Sequence, residues 1–90
     1  MMKVIIMNNK ILIELIVPDI GERYNLFIPI NRRVGSIIIL LNKLLYEITN
    51  GVFFINNDRT LYNRFTGEEY QINDLIRNTN IRNGTKLVLL

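Results

Sequence analysis

VGSIIILLNKLLYEIT, residues 34–49, is where the periodicity of this chain changes. Val34, Ile38, Leu41, Leu45 and Ile48 recur at intervals of 4, 3, 4 and 3, which lines one face of a helix. Ile37 and Leu44 widen that stripe. Asn50-Gly51 closes the segment, because glycine enters the left-handed conformation that ends helices without a steric penalty. At the other end Asn31 is the candidate cap, although Arg32 and Arg33 oppose the helix dipole there. Isoleucine is a mediocre helix former, so packing has to hold this helix.

The flanks read as strands. KILIELIV, residues 10–17, is rich in branched residues and stops at Pro18. Asp19-Ile20-Gly21 is a turn, and Arg23–Ile30 is a second strand with Tyr24, Leu26, Ile28 and Ile30 on one parity. After the helix, Val52–Ile55 and Thr60–Phe65 are expected as short strands, separated by the turn Asn56-Asn57-Asp58. Ile72–Ile76 is expected as one helical or 3₁₀ turn. Asn83-Gly84 is a tight-turn signal, and Leu87–Leu90 is the last strand. The order hairpin, helix, short strands, final strand is the β-grasp arrangement. It is an α+β fold with a mixed four- to five-stranded sheet and one helix packed on one face. The expected core is Ile11, Ile13, Leu15, Val17, Leu26, Ile28, Val34, Ile38, Leu41, Leu45, Phe54, Ile72, Leu75, Ile81, Leu87 and Leu89. Residues 10–90 form the expected domain and residues 1–9 an N-terminal extension, either frayed or an extra strand.

Composition narrows the function. The chain has 90 residues, 49% of them hydrophobic, and no Cys, His, Trp or Ala. Ile (16) and Asn (13) make up about a third of it, a codon bias rather than a functional signal. Without Cys there is no disulfide framework, iron–sulfur cluster or thiol nucleophile, and without His the commonest general base and metal ligand is missing. Ser36, Thr49, Thr60 and Thr66 have no histidine to activate them. Glu68, Glu69, Asp74 and Asp58 show no spacing suited to a metal or a hydrolytic pair. We expect no catalytic residues, no cofactor-binding residues and no metal site. The net charge is +3, with Arg32-Arg33 the single adjacent basic pair, so Arg23, Arg32, Arg33 and Lys86 give only weak support to nucleic-acid binding. The longest apolar run, Ile37–Leu41, is far short of the roughly 20 residues a membrane span needs. A cytoplasmic protein is expected.

Several stretches resemble a known family. Leu26–Ile38 (LFIPINRRVGSII), Asn56–Glu68 with its Phe65-Thr66-Gly67-Glu68, the triplet Ile72-Asn73-Asp74, and the ending Ile81–Leu90 (IRNGTKLVLL) are together similar to the small ubiquitin-like YukD/EsaB proteins of Gram-positive type VII secretion. The resemblance runs from about Lys10 to Leu90. It departs in residues 1–9, beyond the family's usual start, and in Asp74–Ile81, longer than the family's equivalent. It implies a ubiquitin-like β-grasp fold and an accessory or regulatory role in secretion, exercised by binding protein. Conjugation and sulfur transfer in this superfamily use a C-terminal Gly-Gly. This sequence closes on Val88-Leu89-Leu90 within the expected last strand, so a non-conjugating member is expected.

Strand parity then locates a candidate site. If Ile11, Ile13, Leu15 and Val17 face the helix, Leu12, Glu14 and Ile16 face away from it. By the same rule Phe27, Val88 and Leu90 join them. Leu12, Ile16, Phe27, Val88 and Leu90 are therefore the candidate protein-binding residues, forming one apolar patch on the face ubiquitin uses for partners. The competing expectation is that residues 1–9 or the loop Phe65–Tyr70 cover that face. Ile39 and Tyr46, on the polar side of the helix, are either tucked under loops or a second surface. The partner implied by resemblance is a secretion-machinery subunit. The alternative is a homodimer, through the outer sheet face or through residues 3–7 added to a sheet edge.

Overall fold

A computed structural model describes residues 9–90. Strands β1 (Lys10–Val17) and β2 (Glu22–Pro29) form an antiparallel hairpin, paired from Lys10↔Pro29 to Val17↔Glu22. A 3₁₀ turn, Pro18–Ile20, joins them, and Gly21 leaves it at φ 64°, a left-handed geometry open to glycine. Helix α1 (Val34–Ile48) carries the chain across, followed by β3 (Leu61–Asn63), a 3₁₀ turn (Ile76–Asn78) and β4 (Lys86–Leu89). The sheet order is β2-β1-β4-β3, with β1 and β4 parallel at the centre. This is the expected β-grasp arrangement, with four strands. Val52–Ile55 is not a strand. It is an irregular passage whose polar groups are met by side chains, as described below.

The start of α1 corrects the expected Asn31 cap. Arg33 is the capping residue and its side chain makes no capping hydrogen bond. Instead the first helical N–H groups donate to backbone carbonyls of a distant segment: Val34 to Asp74 at 2.8 Å and Gly35 to Ile72 at 2.9 Å. The Arg33 guanidinium donates to the Asn73 carbonyl. Donors that a helix leaves unpaired at its start are thus satisfied by tertiary contact. A Cβ on Gly35 would stand 3.3 Å from the Ile72 oxygen, so glycine allows this approach. Asn31 accepts a hydrogen bond from Arg77 instead. The 72–74 segment is a turn, and the 3₁₀ turn expected at Ile72–Ile76 lies at Ile76–Asn78.

The core sits between α1 and the inner sheet face. Ile13, Leu15, Val17, Ile28, Val34, Ile37, Ile38, Leu41, Leu45, Ile81, Leu87 and Leu89 are buried, with Ile11 and Leu26 packed partly against them. Three expected members are displaced. Phe53 is fully buried while Phe54 is 78% exposed. With no strand at 52–55 the parity argument has nothing to act on, and the helix end decides which ring turns inward. Ile72 is exposed: it lies against the start of α1 at Gly35, with both its carbonyl and its Cβ close by, but at the surface and not within the core. Leu75 is half-buried, and Ile76 takes the core position. Leu61 and Tyr70 complete the core. Ile48, on the expected helix stripe, is exposed at the last turn.

Side chains secure the irregular half. Buried Asn42 donates to the Ile38 carbonyl and accepts the Asn56 N–H, both at 2.9 Å. Arg59, mostly buried, pairs with Asp19 at 2.7 Å, donates to the Phe54 carbonyl at 2.9 Å and lies 4.2 Å from the centre of the Phe53 ring. The Tyr70 hydroxyl donates to Asn80 at 2.6 Å and accepts from Asn63 at 3.0 Å. Burial pushes the Tyr70 hydroxyl above the ordinary tyrosine value. The hydrogen bond from Asn63 lowers it in part, and the charge of Glu68 adds to the rise.

Candidate functional site

The outer sheet face is set by strand register. Leu12 stands opposite Phe27, Glu14 opposite Asn25 on one side and Lys86 on the other, and Ile16 between Arg23 and Val88. Val88 in turn faces Tyr62 of β3. Three rows therefore cross the sheet: Phe27–Leu12, then Asn25–Glu14–Lys86, then Arg23–Ile16–Val88–Tyr62. Leu12 and Phe27 are exposed, Phe27 by 54%, and Ile16 and Val88 are half-buried. Leu90 is exposed beyond β4, its backbone exchanging both hydrogen bonds with Thr60.

The five expected site residues thus share a face but do not make one continuous patch. Glu14 and Lys86 lie between the apolar rows, 3.8 Å apart, and Glu14 Oε2 has no hydrogen-bond partner among the described residues. The two apolar groups are separated by four residues along β1, roughly 13 Å at ~3.3 Å per residue. Alternation was enough to put Leu12 and Ile16 on the outer side. It did not reveal that Lys86 comes level with Glu14, since that needs the β1–β4 register.

Three further residues belong to this face and escaped sequence reasoning. Tyr62 is placed there by its pairing with Val88. Arg64 and Phe65 follow β3, with the Arg64 N–H donating to the Lys86 carbonyl at 2.9 Å. Phe65 is 80% exposed, and Lys86 Nζ lies 5.9 Å from its ring centre. The loop after β3 therefore borders the outer face and does not cover it. Tyr70, at the loop's far end, turns into the core and donates its N–H to Leu61. Residues 1–8, including the 3–7 segment, lie outside the described residues.

The helix side carries a second apolar surface. Ile39, Leu40 and Tyr46 are exposed, so Ile39 and Tyr46 are not tucked away. A cleft of about 270 Å³ between β2 and α1 is lined by residues that include Pro29, Arg32, Ile37, Ile39, Leu40 and Lys43. Among the described residues no three His, Cys, Asp or Glu side chains converge as a metal site would require, and no helix is long and apolar enough to cross a membrane.

With this architecture in view, comparison defines the class: the fold is ubiquitin-like, a mixed four-stranded sheet with one helix. A chain from a structure described as molecular mimicry of SUMO in DNA repair aligns at TM-score 0.68 and 20% identity, covering 92% of each chain. One neighbour is described as a type VII secretion protein and another as part of an inner membrane complex. The ubiquitin-like domain of the Mycobacterium tuberculosis secretion protein EccD1 aligns at TM-score 0.67 and 10% identity, over 90% of this chain and 97% of that domain. A chain of the MycP5-free ESX-5 inner membrane complex aligns at TM-score 0.74 and 10% identity, over 91% of this chain but 21% of its own length. At these identities the likeness is one of fold. No family model matches the chain, and no curated protein does.

Proposed function

We propose that this chain is a protein-binding module, a cytoplasmic accessory or regulatory component of a Gram-positive type VII secretion system. It docks through the outer sheet face on Leu12, Ile16, Phe27, Val88 and Leu90. The observation that carries the reading is that helix α1 covers one side of the sheet, whereas the other presents two apolar rows that no described element covers. The secretion assignment is supported by the YukD/EsaB-like stretches and by a type VII secretion protein among those of the same fold.

The test is to read the gene neighbourhood for a secretion-type membrane ATPase and to co-purify that ATPase with the full chain, as wild type and as Phe27→Asp. Phe27 is solvent-facing, so the variant is expected to keep its circular dichroism spectrum and lose the ATPase. Equal capture by both forms would overturn the docking face. A gene neighbourhood without a secretion ATPase would overturn the pathway.

One observation favours a second reading, self-association. Strand β2 is a sheet edge. The Asn9–Ile30 hydrogen bond sets the alternation so that Arg23, Asn25 and Phe27 turn their backbone groups outward, open to an added strand. Pro29, next in that series, has no N–H to offer. Size exclusion of the full chain against one beginning at Lys10 separates the readings, since a strand-mediated dimer is lost on truncation.

A further inference from the structure

At one end of the outer face lies a cleft of about 130 Å³ lined by Ile16, Arg23, Arg64, Phe65 and Lys86. Three of the five are cationic and none is acidic. Three strands and the turn after β3 line it. Arg23 on β2 is the register partner of Ile16 on β1, Lys86 is on β4, and Arg64 is tied to β4 just after β3. The turn that presents Phe65 is fixed by Asn63, whose Oδ1 accepts the N–H groups of Phe65 and Thr66 at 2.9 and 3.1 Å. Lys86 has Glu14 at 3.8 Å. Among the described residues neither Arg23 nor Arg64 has a carboxylate within 4.0 Å. Glu69, across a bridge from Tyr62, accepts that tyrosine's hydroxyl at 3.3 Å.

We propose that this cleft receives an acidic peptide segment of a protein partner. A glutamate or aspartate side chain would sit among Arg23, Arg64 and Lys86, with a neighbouring apolar side chain against Ile16 and Phe65. The proposal rests on the docking-face reading and specifies the partner's chemistry. Charge complementarity selects the occupant: an arginine fork pairs a carboxylate in two parallel hydrogen bonds. A second copy of this chain, docked face to face, would oppose its three cations with three more. A nucleic acid calls for a continuous cationic track along its backbone. Here Arg32 and Arg33 line clefts beside the helix instead.

The experiment is an NMR titration of the full ¹⁵N-labelled chain with three probes. They are a short blocked peptide with two glutamates flanking a leucine, the same peptide with glutamines, and a single-stranded oligothymidylate. The glutamate peptide is expected to shift the amides of Ile16, Arg23, Phe65 and Lys86, and to weaken as salt is raised. The glutamine peptide, and the variants Arg64→Glu and Arg23→Glu, are each expected to bind about tenfold more weakly, ~1.4 kcal/mol. Equal affinity of the two peptides overturns the proposal, and so does tighter binding of the oligonucleotide at the same amides. ATPase capture that needs Phe27 but ignores Arg64→Glu sinks the cleft and spares the docking face. Glutamate-dependent binding by a chain that captures no secretion subunit supports the cleft and sinks the secretion reading.

Discussion

Residues 10–49 and 50–90 are nearly equal in length and are held together by different means. The first half is a hairpin of paired eight-residue strands and a fifteen-residue helix. Its backbone groups largely satisfy one another within regular ladders. The second half has strands of three and four residues, and much of its backbone is fastened by side chains. Thr49 Oγ1 accepts the Phe53 N–H, Asn42 the Asn56 N–H, and Asn63 two amides at once. Arg59 donates to the Phe54 carbonyl. Buried backbone groups need partners in either case. Where ladders are absent, short polar side chains supply them, which gives the abundant asparagines a structural task.

The contrast can be broken at its strongest point with two adjacent residues. Phe53→Ala empties a fully buried site and is expected to cost about 3–5 kcal/mol. Phe54→Ala removes an exposed ring and should stay within about 0.5 kcal/mol. Urea denaturation of both measures the difference, and equal losses would mean that the passage after the helix packs otherwise. Next, Arg59→Ala removes the guanidinium bonds to the Phe54 carbonyl and to Asp19. Hydrogen bonds to a charged group contribute about 1.5–3 kcal/mol, and water can reach both acceptors, which belong to exposed residues, so the loss is expected at the lower end, about 1.5 kcal/mol. Loss of protection at the Asp19 turn and around Phe54 in hydrogen exchange would show that one side chain fastens both halves.

The smallest effect is the most specific. Tyr70→Phe removes the hydroxyl shared by Asn63 and Asn80, at about 1 kcal/mol. The folded state holds the Tyr70 proton more tightly than the unfolded chain, so above the ordinary value of 10.0 it binds more protons. Its contribution is complete below that value and declines as pH rises through the raised one. Wild type should therefore lose stability more steeply than Tyr70→Phe above pH 10, as read from thermal melts. Parallel curves would refute the sign.

The first half was legible because its signals are periodic. KILIELIV ends where β1 ends, and the 4-3-4-3 spacing begins at the residue where α1 begins. Alternation likewise put Leu12, Ile16 and Phe27 on the outer face. The second half was legible only in outline. Val52–Ile55 has the composition of a strand, but propensity is a weak guide where no neighbour offers a ladder. Among the described residues the partner it would need is absent: β3 borders β4 on one side, and on the other meets Glu69 in a single bridge. The helix cap was equally hidden, because the carbonyls of Ile72 and Asp74 carry no residue-type signature. The binding face was partly legible. Parity found the apolar positions, yet the charged row between them and the placing of Lys86 and Arg64 near Ile16 depend on a parallel register between segments some seventy residues apart.

The sequence by itself determined the hairpin, the helix and the order of elements that makes a β-grasp fold. Apolar spacing is a local property, and burying one face per element leaves few ways to stack them. Tertiary structure decided what that fold presents. It chose Phe53 over Phe54, closed the helix start with distant carbonyls, and brought Arg23, Arg64 and Lys86 around one cleft. Each of these depends on which segment comes to lie against which, and such contacts leave no periodic trace in the chain.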